Sequence, residues 1–187
     1  MRTYEKNDNF LIYNIPMSYF VIIRGPLGVG KSTIAKKLAK FLNADYVDID
    51  KILRKNNLDK VRPDAKCIPA ENFIKADNLV LLGLKDKIHK GKIVIFDACF
   101  YHRKHIEDII RKLPYRHFIF TLKAPVEVCI ERDRKRKGKY GTSAVKAVHS
   151  LVSKFDYGIV IDTNNKTPDE TLQEIKKHLP DKALSNK

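Results

Sequence analysis

The sequence predicts an α/β domain, a three-layer sandwich in which helices cover both faces of a five-stranded parallel sheet. Two observations carry this. Short apolar runs alternate with helical patterns from residue 19 almost to the end of the chain, the rhythm that crossover helices impose on a parallel sheet. The first run, Tyr19-Phe20-Val21-Ile22-Ile23, is apolar at every position, as in a strand buried on both faces. The length of 187 residues suits one domain with a substantial core.

The elements follow in order. After the strand at Tyr19–Ile23, a helix starts at Lys31 with Ile34, Leu38 and Phe41 at helical spacing. Tyr46-Val47 is a short second strand, followed by a helix over 51–57. Residues 70–90 read as a long helix ended near Gly91, and Ile93–Phe96 as the third strand. A helix near 103–113 stops before Pro114, and His117–Leu122 is the fourth strand. Pro125 suits a first helical position, and the helix it opens runs into a very basic segment. Residues 143–154 form another helix and Ile159–Ile161 the fifth strand. The last helix opens on Thr167-Pro168-Asp169-Glu170, a capping box with proline in the first turn. Residues 1–16, a mixed stretch ending in Pro16, are expected to be an extension or an extra strand, and 17–187 a single domain.

The bulk properties narrow the function classes. No apolar run approaches the roughly 20 residues that span a bilayer, and the N-terminus lacks a secretory h-region. Cys67, Cys99 and Cys129 form no CxxC pair, which suits reduced thiols and a cytoplasmic location. The formal net charge of +15 attracts anionic ligands and leaves a nucleic-acid partner open.

The most specific signal is Gly25-Pro26-Leu27-Gly28-Val29-Gly30-Lys31-Ser32. It fits G-x-x-x-x-G-K-[ST] between an apolar strand and a helix, the context a phosphate-binding loop requires. Gly25, Gly28 and Gly30 let backbone N–H groups, with those of Val29 and Thr33, converge on phosphate oxygens at a helix N-terminus. Lys31 reaches the β- and γ-phosphates, and Ser32 offers its hydroxyl to Mg²⁺. The implied cofactors are ATP and Mg²⁺.

Ligands of an open α/β sheet gather beyond the carboxyl ends of its strands, and acids stand there. Asp97 ends Ile93-Val94-Ile95-Phe96-Asp97, a strand-plus-acid arrangement suited to holding Mg²⁺ directly or through water; the alternative is a helix cap. Asp48 and Asp50 follow the second strand. Asp50 is expected to accept the proton of an attacking hydroxyl, with Asp48 in support; the competing readings are that both serve the Mg²⁺ hydration shell or that Asp50 caps the helix.

The segment Arg132-Asp133-Arg134-Lys135-Arg136-Lys137-Gly138-Lys139 carries seven charges in eight residues, either a solvated surface or a lid that neutralises phosphate charge. With the phosphate loop, the acids after Val47, Asp97, the run Ala124-Pro125 through Arg136 and the late strand Ile161-Asp162-Thr163, the chain resembles P-loop kinases related to adenylylsulfate kinase and phage-type polynucleotide kinase over residues 17–179. The resemblance implies an adenylate-kinase-like architecture with a short lid near 132–142. It implies that Arg136 reaches the donor phosphates and that Arg132 packs on adenine. The chain departs from polynucleotide kinase in placing Arg54 four residues after Asp50, where that family has three. The spacing Asp48-x-Asp50 is similar to shikimate-type kinases.

Residues 51–66 hold Lys51, Arg54, Lys55, Lys60, Arg62 and Lys66 against Asp59 and Asp64, six minus two or +4. This favours an anionic acceptor near Asp50 and Arg54, with Arg103 as a further candidate contact. His102 and His105 read as surface residues. The expected function is transfer of the γ-phosphoryl group of ATP to a hydroxyl or phosphate of a small anionic or nucleotide-like acceptor. The alternatives are a 5′-polynucleotide kinase and a non-enzymatic NTP-binding regulator. An Asn-Lys-x-Asp guanine motif is absent from the sequence, which argues against a switch GTPase.

Overall fold

The structure is a computed structural model that describes residues 18–136, 138 and 140–180. The stretch 1–16, expected as an extension or extra strand, lies outside the described residues. Strands β1 (Tyr19–Arg24), β2 (Asp45–Asp48), β3 (Val94–Asp97), β4 (Arg116–Lys123) and β5 (Ile159–Asp162) form one sheet in the order β2-β3-β1-β4-β5. Every pairing is parallel. The helices are α1 (Lys31–Leu42), α2 (Ile49–Lys55), α3 (Ala70–His89), α4 (Arg103–Lys112), α5 (Val126–Lys135), α6 (Thr142–Val152) and α7 (Pro168–Lys176).

The strand period of two divides the core between the faces of the sheet. Tyr19, Val21 and Ile23 join Ile34 and Leu38 of α1 and Leu172 and Ile175 of α7 on one side. Phe20 and Ile22 join Phe73 and Ile88 of α3 and Ile106 and Ile109 of α4 on the other. Both clusters are almost fully buried. At about 1.5–3 kcal/mol for each large apolar side chain buried, they explain why β1 sits at the centre and is apolar throughout. The capping box of α7 is formed: Glu170 N donates to Thr167 Oγ1 at 3.2 Å, and Thr167 N donates to Glu170 Oε2 at 2.8 Å.

The chain leaves β1 for the edge strand β2, returns through β3, and then continues on the far side of β1 to β4. This reversal makes a topological switch point at the carboxyl end of β1. Register brings the strand ends together there, since Asp97 pairs with both Ile23 and Asp48.

Arg24, the last residue of β1, is fully buried. Its guanidinium donates to Thr121 Oγ1 (3.0 Å), Phe155 O (3.0 Å), Val152 O (3.1 Å) and Phe100 O (3.3 Å). It also lies over the Phe155 ring at 4.4 Å. Burial lowers its pKa to about 10, so it stays charged at neutral pH and is held by carbonyl dipoles.

Some boundaries differ from the sequence expectation. The helix expected over 51–57 opens at Ile49, because Asp48 caps it: Asp48 Oδ1 accepts from Lys51 N at 2.8 Å. Asp50 therefore stands in the first turn and is not the cap. The histidines expected at the surface are not there. His105 is fully buried, with Nε2 2.8 Å from Asp77 Oδ2 across the α3–α4 contact. Its ring lies between those of Phe73 (4.8 Å) and Phe100 (4.5 Å). His102 is half-buried, with Nε2 2.8 Å from Ile68 O. Apolar partners on α3 outweighed the polarity of the local sequence.

Candidate active site

The phosphate loop joins β1 to α1. Gly28 has φ +80°, and a Cβ there would stand 2.2 Å from the Cys129 carbonyl oxygen of α5. Gly30 caps α1 at φ 106°. Only glycine meets both demands without strain, and the result is a loop closed tightly over the first turn of α1.

Lys31 is buried, and its Nζ donates to Pro26 O at 2.8 Å, back across the loop. Burial would lower its pKa, but Cys99, Asp97, Asp50 and Tyr140 more than offset this and raise it. The Cys99 thiol is itself pushed up to about 12 by burial. It stays neutral at physiological pH, so the two carboxylates keep Lys31 charged. A cation held in this way is ready to move from a loop carbonyl to a phosphate oxygen.

Asp97 is 3% exposed and does not cap a helix; α4 is capped at His102. Its Oδ2 accepts from the Tyr46 hydroxyl at 2.7 Å, while its Oδ1 is buried without a hydrogen-bond partner. Ser32, in the first turn of α1, is near enough to pull the Tyr46 phenol down a little. Burial and the Asp97 charge push the Tyr46 phenol up, so it remains a donor. An unsatisfied carboxylate oxygen near a serine hydroxyl fits a hard cation that takes its other ligands from water and phosphate. Among the described residues no group of three His, Cys, Asp or Glu side chains would hold a metal on protein ligands alone. Asp97→Asn keeps an oxygen for Tyr46 but loses the charge. The Mg²⁺ concentration for half-maximal activity is expected to rise on the order of 10–100-fold, with the urea midpoint little changed. An unaltered Mg²⁺ titration would remove Asp97 from the site.

Two cavities flank the loop. One, of about 260 Å³, is bounded by Val29, Thr33, Arg132, Arg136 and Thr163. Arg132 donates to Thr163 O (2.7 Å), Thr163 Oγ1 (3.0 Å) and Val29 O (3.2 Å), which fixes its guanidinium plane on this wall. Arg136 Nη2 donates to Thr33 Oγ1 at 3.3 Å, beside the N-terminus of α1. The basic segment is helical through Lys135, and Arg136 caps that helix. Asp133, read as part of a charge run, is buried and accepts from Gly141 N (3.0 Å) and Tyr140 N (3.3 Å), tying the chain ahead of α6 to α5. Arg136→Ala is expected to lower kcat about 10²-fold while changing the KM for ATP less, as for a group that engages mainly in the closed form. Steady-state kinetics decide this, and a change confined to KM would make Arg136 a donor-binding group only.

The other cavity, of about 230 Å³, includes Leu27, Asp50, Arg54, Phe73, Cys99 and Tyr140 in its lining. Asp50 and Arg54 meet there, one helical turn apart on α2. Burial raises the Asp50 carboxyl above its ordinary range; Lys31 pulls it down, Asp97 and Asp48 push it up, and Arg54 pulls it down. Asp48 has Oδ1 in the α2 cap and acts on Asp50 through that helix start and through its charge. Arg103 does not line this cavity; its guanidinium lies over Phe155 (5.0 Å) and Tyr157 (5.2 Å). The +4 excess of residues 51–66 does not converge here either. Arg62 pairs with Asp64, and the lining carries Arg54 and Lys66 against Asp50 and Asp59. A larger groove of about 700 Å³ along edge strand β2 is lined by Lys36, Lys51 and Lys87 but includes neither Lys31 nor Asp97.

The AAA-domain family AAA_33 matches residues 20–154. The chain belongs to this family, within the P-loop kinase superfamily. A protein of Pyrococcus furiosus named "Putative adenylate kinase" is 28% identical over 163 residues, covering 83% of this chain and 81% of that protein. A sugar kinase from Janibacter sp. HTCC2649 superposes with a TM-score of 0.70 at 18% identity, covering 87% of this chain and 94% of its own. The APS kinase of Mycobacterium tuberculosis, solved with AMPPNP and APS, has a TM-score of 0.62 at 18% identity over 87% and 97% of the two chains. As a P-loop kinase, the chain is an ATP-using phosphotransferase. The names of these similar proteins differ in acceptor.

Tyr46, Cys99 and Asp133 were missed in the sequence. For Tyr46 the deciding fact is strand order: it lies in β2 beside β3, paired with Ile95 two residues before Asp97.

Proposed function

We propose that this P-loop kinase transfers the γ-phosphoryl group of ATP to a hydroxyl group of a small molecule. The observation that carries this reading is Asp50. Its carboxyl is half-buried in the cavity across the loop from the donor side, and burial raises its pKa while Lys31 pulls it down. A carboxylate there suits an acceptor that brings a proton and would repel one that brings a phosphate dianion.

The phosphate loop and Lys31 hold the β- and γ-phosphates, Arg136 adds charge from the lid, and Arg132 lines the nucleoside side. Ser32 and Asp97 would hold Mg²⁺, which supplies charge neutralisation on the phosphates. Asp50 orients the acceptor hydroxyl and takes its proton as the new O–P bond forms and the bond to the β-phosphate oxygen breaks, releasing ADP. The transition state is loose, so much of the role of Asp50 is orientation.

The test is a screen of the purified protein with γ-labelled ATP and Mg²⁺ against alcohols and nucleosides on one side and AMP and CMP on the other. Label is expected in a phosphomonoester that alkaline phosphatase removes. Label in a nucleoside diphosphate would replace this reading with a nucleotide acceptor.

A further inference from the structure

The cavity that holds Asp50 is lined mainly by hydrocarbon. Phe73, only 1% exposed, meets Tyr101 edge to face with centroids 5.4 Å apart. Leu53, Ile68 and Leu151 complete the walls. Two apolar side chains that stand open to solvent lie on the same cavity: Val61, 57% exposed, from the segment after α2, and Tyr140, 37% exposed, from the end of the lid. The cavity thus presents apolar surface from two separate parts of the chain.

Its polar groups are few, and some are engaged. The Tyr101 hydroxyl already accepts from Ile68 N at 3.1 Å. Asp50, Arg54, Asp59 and Lys66 supply two negative and two positive charges. A polyol or sugar acid would bring several hydroxyls into this space, and each one left without a partner is penalised. A multiply charged acceptor finds no excess of opposite charge. A planar ring matches hydrocarbon walls and gains from an aromatic neighbour. The volume of about 230 Å³ falls below the range of roughly 300–1,000 Å³ typical of drug-sized ligands, which limits the occupant to one ring system with small substituents.

We infer that the acceptor is an alcohol built on a planar aromatic or heteroaromatic ring and carrying no more than one negative charge. Its ring rests among Phe73, Tyr101, Val61 and Leu151, and its hydroxyl faces Asp50. This rests on the proposed hydroxyl transfer but adds a recognition element of its own. Arg54 or Lys66 takes the single negative group where there is one. Val61 and Leu151 set specificity.

The experiment uses matched probes with the full chain. 4-(Hydroxymethyl)benzoate is compared with its saturated cyclohexane counterpart, 3-(hydroxymethyl)pyridine with gluconate, and AMP is included. Binding to the AMPPNP-loaded protein and transfer from labelled ATP are both measured. The aromatic probe of each pair is expected to be favoured about tenfold or more, in line with the loss of ring contacts and the unpaired hydroxyls of its rival. Val61→Asp and Leu151→Asn are each expected to collapse that preference; Val61 is exposed, so its replacement tests the idea without a folding penalty. Gluconate or the saturated alcohol binding as well as its aromatic rival overturns the inference, as does failure of both aromatic probes to bind at millimolar concentration. Label appearing on AMP while aromatic probes still bind preferentially would sink the hydroxyl reading and leave the ring recognition standing.

Discussion

Lys31→Ala is expected to lower kcat by about 10³-fold, the upper range for losing one preorganised charged donor. The effect should be large because the lysine is irreplaceable in place as well as in charge. It is buried under its own loop, 2.8 Å from Pro26 O, with the Asp97 and Asp50 carboxyls close enough to raise its pKa. Removing it takes the cation from the transferring phosphoryl group and leaves two carboxylates facing each other with less compensation. The Asp50 carboxyl loses the neighbour that pulls its pKa down, so residual activity should need higher pH than the wild type does. Single-turnover transfer from labelled ATP, with a urea titration to confirm folding, is the measurement. Wild-type turnover by the folded variant would remove Lys31 from the chemistry.

Asp50→Asn is expected to cost about 10²–10⁴-fold in kcat if the carboxylate takes the proton, with little change in the KM for ATP. The pH dependence has a definite sign. Burial raises the Asp50 carboxyl, and a base works only when deprotonated. Wild-type kcat/KM should therefore fall with decreasing pH through a value above the ordinary carboxylate range of about 4, and Asp50→Asn should lose that limb. Lys31 remains charged over the same interval, because its own pKa is raised, and so does not contribute to it. A loss below about tenfold with the acid limb intact would confine Asp50 to orienting the hydroxyl.

The parts of the site that could be read from sequence depend on neighbours along the chain. Gly25 to Ser32 is contiguous, and its strand and helix flanks are equally local. Asp97 was legible because an acid ends an apolar strand. Asp50 and Arg54 were legible because a helical turn separates them. The capping box of α7 was legible for the same reason. What escaped depends on which distant segments meet. Nothing beside Tyr46 indicates that its hydroxyl bonds to Asp97; this follows from β2 lying beside β3. Cys99 gains its place beside Lys31 only because the segment after β3 passes the loop. His105 looked like a surface residue because its chain neighbours are charged, while its true neighbours, Phe73 and Asp77, lie on α3. Asp133 was hidden in a run of basic residues, although burial and two backbone donors make it the residue least like a solvated charge there. The excess of lysine and arginine over 51–66 was real in composition, but several of those side chains turn to solvent.

Arg24 ties the acceptor-side wall to the middle of the sheet. Its bonds to Val152 O and Phe155 O clamp the last turn of α6 and the chain just beyond it to the end of β1. Asp133 fixes the other end, since its carboxylate accepts from the Tyr140 and Gly141 amides ahead of α6. The helix that carries Leu151 is thus held once to the sheet and once to α5, and the wall it forms has its shape before any acceptor arrives.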